Sequence, residues 1–92
     1  MIIRIMEEGQ FRISGKLYDE LNALDNRIVD FVAEGKKEAF KLEFSKMIEV
    51  IRTKGKPLLP EELLESEIIV PPEDLSFEEA REVFIGSGIF EA

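Results

Sequence analysis

Ile2-Ile3-Arg4-Ile5-Met6-Glu7-Glu8-Gly9-Gln10-Phe11-Arg12-Ile13-Ser14-Gly15 is the stretch whose reading decides the fold. Ile3 and Ile5 alternate with Arg4, and Phe11 and Ile13 alternate with Arg12. Alternation of this kind belongs to half-buried strands, so strands are expected over about 2–6 and 10–13. Glu7-Glu8-Gly9 between them is short enough for a tight loop, with Gly9 free to take a positive φ. An isolated hairpin is marginal in water and must pack on something.

What it packs on follows at once. Ser14 is a good N-cap, and the periodicity changes to that of a helix over about 15–34, with Asp19 and Glu20 near its positive end. Leu17, Leu21, Leu24, Ile28, Phe31 and Val32 fall within an arc of roughly 100°, the width of a core-facing stripe. Gly35 suits the position after the helix end. A second helix is expected over about 36–54, with Phe40, Phe44, Met47, Ile48 and Ile51 as its stripe, Gly55 as its stop and Pro57 preventing resumption. Two such helices, each about 27–30 Å long at 1.5 Å per residue, form an antiparallel hairpin when the connection is this short.

Beyond Gly55 the character changes. Lys56-Pro57-Leu58-Leu59-Pro60 reads as a stiff connector, with Pro60 opening a helical turn through Glu61 to Leu64. Ile68-Ile69-Val70 is β-branched throughout and predicts a strand near 67–70, ended by Pro71-Pro72 and able to join the hairpin as a third strand. Ser76 and Glu79 form a capping box for a short helix over about 77–85, closed by Gly86-Ser87-Gly88. Ile89 and Phe90 should then dock back on the core. The expectation is an α+β fold and one domain over 1–92: an N-terminal hairpin, joined by a strand near 68–70, on a two-helix hairpin with a short C-terminal helix.

Composition narrows function mainly by exclusion. A chain of 92 residues with 45% hydrophobic content supports one modest core and argues against wholesale disorder. The N-terminal apolar run is too short, and too broken by Arg4, for a signal peptide, and no run is long enough to span a bilayer. There is no cysteine and no histidine, which removes thiol chemistry, thiolate zinc sites and the commonest general base. Charge is uneven: residues 1–56 hold 11 Lys/Arg against 10 Asp/Glu, whereas residues 57–92 hold Arg81 alone against 10 acids, together the net −8. The acidic half argues against nucleic-acid binding and against adhesion to anionic lipid by charge, and fits either solubility or a basic protein partner.

Of the residues that could carry function, the acid clusters around Glu61 and Glu78 lie beside turns and caps, where a solvated face is the ordinary reading. No catalytic, cofactor or metal residues are assigned, and no cofactor is expected. Six residues are candidates for partner binding: Asn22, Asp25, Leu42, Val50, Glu78 and Glu79. Asp25 lies at the margin of the first helix's apolar stripe with Asn22 on the same flank. A carboxylate there needs a donor from a neighbouring segment or from a partner, and both readings stay open. Ala39, Leu42 and Val50 suggest a second apolar row on the second helix, to be covered by the C-terminal segment or by another chain.

Glu8-Gly9-Gln10-Phe11, Leu21-Asn22-Ala23-Leu24-Asp25, Glu34-Gly35, Glu38-Ala39-Phe40, Gly55-Lys56-Pro57-Leu58, Ser66-Glu67-Ile68-Ile69-Val70-Pro71-Pro72 and Glu78-Glu79-Ala80-Arg81 follow one another in an order that resembles the family of proteins associated with phage shock protein A. The ending Gly88-Ile89-Phe90-Glu91 departs from the Gly-Leu-Ile-Pro-like finish common in such chains. The resemblance implies a non-enzymatic accessory of the envelope stress response, binding a phage shock protein A-like coiled-coil protein. It implies a cytoplasmic location, with the membrane reached only through that partner. The alternative is a self-associating module, a homodimer in the simplest case.

Overall fold

Ile3 and Ile5 are fully buried while Arg4 between them is exposed, so the alternation in the sequence becomes the two faces of strand β1, Ile2–Ile5. In the computed structural model, which describes residues 1–62 and 64–90, β1 pairs antiparallel with β2, Gly9–Arg12, placing Ile3 opposite Phe11 and Ile5 opposite Gly9. The loop is Met6-Glu7-Glu8, one residue earlier than expected. The Glu8 N–H donates to the Ile5 carbonyl at 3.0 Å. Gly9 does take a positive φ of 142°, but the left-handed corner is carried by Glu7 at φ 71°. A side-chain-bearing residue pays a steric penalty there, because its Cβ crowds the following carbonyl.

Helix α1, Gly15–Ala33, starts where Ser14 accepts a hydrogen bond from the Leu17 N–H at 3.1 Å. Asp19 and Glu20 fall beyond its first turn, which holds no acid. It ends in a Schellman arrangement: with Gly35 at φ 70°, the Lys36 N–H donates to Phe31 and the Gly35 N–H to Val32. Helix α2, Lys37–Lys54, runs back against α1. Gly55 is its stop, as expected, and donates its N–H to the Ile51 carbonyl. Gly55 is extended, at φ −78° and ψ 157°. A Cβ there would lie 2.5 Å from the Ile51 carbonyl oxygen and 3.3 Å from the Phe11 Cβ, so the glycine is needed for close approach.

The chain then enters the sheet again. Lys56–Pro57, expected as a connector, forms a two-residue strand β3 antiparallel to β2, with Phe11 opposite Pro57. A turn follows in which the Glu62 N–H donates to Leu59 at 2.9 Å. The helical turn expected through Leu64 crosses Leu63, which lies outside the described residues. Strand β4, Ile68–Val70, joins the other side of β1 in parallel, Ile3 opposite Ile68 and Ile5 opposite Val70. Among the described residues the sheet has the order β3-β2-β1-β4. Both edges are short and bounded by proline, which limits pairing with other chains. Helix α3, Phe77–Val83, carries the expected capping box and ends two residues early.

The result is the expected α+β class: a mixed sheet with its inner face under helices α1 and α2, and α3 laid against both. Ile3, Ile5 and Val70 from the sheet meet Leu21, Ile28, Met47 and Ile51 from the helices in one core. Phe40, Phe44, Phe77 and Phe84 form an aromatic cluster that fixes α3 on α2, with ring centroids from 5.5 to 6.2 Å apart. Each such ring contributes about 1.5–3 kcal/mol by burial alone.

Candidate functional site

The best-built polar centre in the molecule is the one under the C-terminal loop. α1 presents Asp25 at the margin of its apolar stripe, and the carboxylate is fully buried. Its two oxygens accept from successive backbone N–H groups, Ile89 at 3.1 Å and Phe90 at 2.9 Å. Gly88 crosses directly over the carboxylate: a Cβ at that position would fall on Asp25 itself. The loop reaches this position through Gly86, at φ 69°. The Tyr18 hydroxyl, two turns earlier on α1, donates to the Phe90 carbonyl at 2.6 Å, and the two rings meet edge to face at 6.0 Å. The Phe90 ring is fully buried. This is a clamp for a chain segment: both acceptor oxygens are engaged by backbone, and the approach is filled by Gly88.

Of the two readings of Asp25, the structure therefore places the carboxylate in an internal bond, and joins α1 to the C-terminal loop instead of to the hairpin. The buried group presents nothing to a second protein. Asn22, one turn earlier, is half-buried. The hairpin is held by other means. Gln10 donates through Nε2 to the Leu64 carbonyl and, at 2.7 Å, to the Ser66 Oγ, tying β2 to the segment before β4. Glu67 supports the same segment by accepting from the Ile2 N–H at 3.2 Å.

A charged network joins the hairpin turn to α2 and to the loop before α3. Arg52 donates to both oxygens of Glu8, its Nε at 3.0 Å, and to Glu73 at 2.9 Å. Ser45 adds a hydrogen bond to Glu73 at 2.8 Å. The Arg52 guanidinium holds the Glu8 carboxyl below its ordinary range. Ser45 first, and then Arg52, do the same for Glu73. Arg52 is in turn held more firmly protonated by Glu8 and Glu73. Glu79 is lowered by the Ser76 backbone N–H in the capping box.

The six candidate residues do not converge. Asn22 and Asp25 sit on α1, Leu42 and Val50 on α2, and Glu78 and Glu79 at the start of α3. Leu42 is 74% exposed, so the expected covering by the C-terminal segment does not occur: Phe84 goes to the Phe40–Phe44 pair and Phe90 to Tyr18. Val50 is half-buried against the core, which breaks the expected second apolar row. Glu78 and Glu79 are exposed, and Glu79 serves its own helix as a cap. Phe90 docks on the core as expected, but the sequence reading missed Tyr18 and Gly88 as parts of the clamp; a Gly-x-Gly before two apolar residues signals a turn, with nothing to name Asp25 as its target. It also missed a groove of about 470 Å³ between the hairpin turn, the Pro71-Pro72 corner and α3.

No group of three or more His, Cys, Asp or Glu is placed to hold a metal ion among the described residues. No helix among them is long and apolar enough to cross a membrane. The fold and its clamp thus define a small α+β protein in which the most elaborate polar geometry closes the chain on itself. The chain belongs to the PspA-Associated protein family, whose model matches residues 1–92, its whole length. That agrees with the resemblance carried by the Gly-Gln-Phe step and the Leu-Asn-Ala-Leu-Asp helix. No curated protein and no solved structure gives a significant match.

Proposed function

We propose that this protein is a non-enzymatic adaptor that binds a phage shock protein A-like coiled-coil protein in the envelope stress response. The observation that carries the reading is the family match over the whole chain, with a description that names an association with PspA. The charge of residues 57–92 supports it, because one arginine against ten acids suits a Lys/Arg-rich helical surface. In this reading the protein works in the cytoplasm and meets the membrane only through its partner. The pairing is tested by pull-down of the two purified chains at low and at high salt. Retention at low salt that weakens as salt rises is expected; absence of a complex at both would refute the adaptor.

One observation favours a second reading. Leu42, at 74% exposure between Lys41 and Glu43, is an apolar group on an otherwise charged stretch of α2. A self-associating module would bury it across a two-fold axis. Light scattering on Leu42→Asp separates the readings: a wild-type dimer reduced to monomer by this change would favour self-association.

A further inference from the structure

We propose that the groove between the hairpin turn, Pro71-Pro72 and α3 docks the Lys/Arg-bearing apolar face of an amphipathic helix. The inference deepens the adaptor reading and rests on it for the source of that helix. The groove has a volume of about 470 Å³. Met6 in the hairpin turn and Val83 at the end of α3 are 45% and 42% exposed, large apolar side chains that face solvent across the groove. Pro71, Pro72 and Leu75 complete its apolar lining.

Charge selects the occupant. Glu7, Asp74 and Glu79 line the groove, and no lysine or arginine does. Glu7 and Asp74 take part in no ion pair among the described residues, and Glu79 spends one oxygen on the Ser76 N–H. Their sequence neighbours Glu8 and Glu73 are, by contrast, paired with Arg52. The molecule therefore has an arginine within reach of this corner and uses it elsewhere. Three uncompensated carboxylates beside apolar walls leave a focused negative potential. The complement is an apolar body carrying Lys or Arg at its margins.

Backbone chemistry selects a helix over a strand. An added strand needs a row of N–H and carbonyl groups, and Pro71 and Pro72 have no N–H to offer. A helix needs none: it lays side chains at i, i+3 and i+4 into the groove, and the unbranched Met6 can adapt its rotamer to them.

The test is titration of the wild-type protein with the phage shock protein A-like partner and, separately, with a synthetic amphipathic Leu/Lys helical peptide, followed by calorimetry and amide NMR. Val83→Asp, and the double change Glu7→Lys with Asp74→Lys, are expected to weaken both interactions by about tenfold or more. Leu42→Asp should leave them unchanged. Val83→Ser, which removes the apolar wall without adding charge to α3, serves if the aspartate unfolds the helix. Partner binding that survives all the groove changes would overturn the groove while leaving the adaptor reading intact. Should the partner fail to bind wild type, the adaptor reading falls and the peptide decides the groove: shifts confined to Met6, Leu75 and Val83 sustain it. No peptide binding, shifts elsewhere, or a wild-type dimer that buries the groove overturns it.

Discussion

The Asp25 carboxylate holds the C-terminal loop by bonds that a change of one atom disturbs. In Asp25→Asn one oxygen becomes an NH2 group that faces a backbone N–H, so one of the donors at Ile89 or Phe90 loses its acceptor. Asp25→Ala leaves both without one, and roughly 2–4 kcal/mol of stability should be lost in urea denaturation. Gly88→Ala attacks the same clamp from the other side, because its Cβ would overlap the carboxylate. Since both changes break one contact, the double variant Asp25→Ala/Gly88→Ala should cost less than the sum of the two singles; strict additivity would deny the clamp. Glu7 gives a change of opposite sign. At φ 71° it occupies a conformation that glycine accepts freely, so Glu7→Gly should raise stability by up to about 1 kcal/mol, net of the extra chain entropy of glycine. A drop in the urea midpoint would show the corner to be unstrained.

Elements built on local patterns were legible in the sequence, and elements built on distant contacts were not. The alternation about Arg4 and Arg12 revealed β1 and β2, and the stripes ending at Gly35 and Gly55 revealed α1 and α2. β3 has only Lys56 and Pro57, too short for any period; it exists because Phe11 and Arg12 on β2 stand opposite it. Gly55 was legible as the stop of α2, but its close approach to the Ile51 carbonyl and to Phe11, the second of them far away in sequence, was not. The Asp25 site was half legible for the same reason. Helical projection showed a carboxylate at a buried margin, but its donors lie 64 and 65 residues further along the chain. The groove was not legible at all, because it is assembled from a turn, a proline corner and a helix. α3, with seven residues, depends on its cap: Ser76→Ala should cost about 1 kcal/mol, and circular dichroism should show lost helix ahead of global unfolding.

Across the whole molecule, charge links stability to pH and to partners. Glu8, Glu73 and Glu79 are all lowered in the folded state from an ordinary value of 4.5. A depressed carboxylate contributes stability that is present above the unfolded pKa and is lost as pH falls through the folded one. The melting temperature should therefore hold level above about pH 5.5 and decline below about pH 4.5. Arg52→Met, which removes the cation shared by Glu8 and Glu73, should flatten that acid decline; an unchanged slope would mean the network contributes nothing to it. Asp74, Glu78 and Glu82 take part in no ion pair among the described residues, and the role proposed for this acidic face is binding a basic helix. Light scattering coupled to gel filtration, on an equimolar mixture with the phage shock protein A-like partner at low salt, tests that claim most directly. The expected result is a single species heavier than either chain alone, depleted by Val83→Asp and by added salt. Two separate peaks at the masses of the isolated proteins would contradict it.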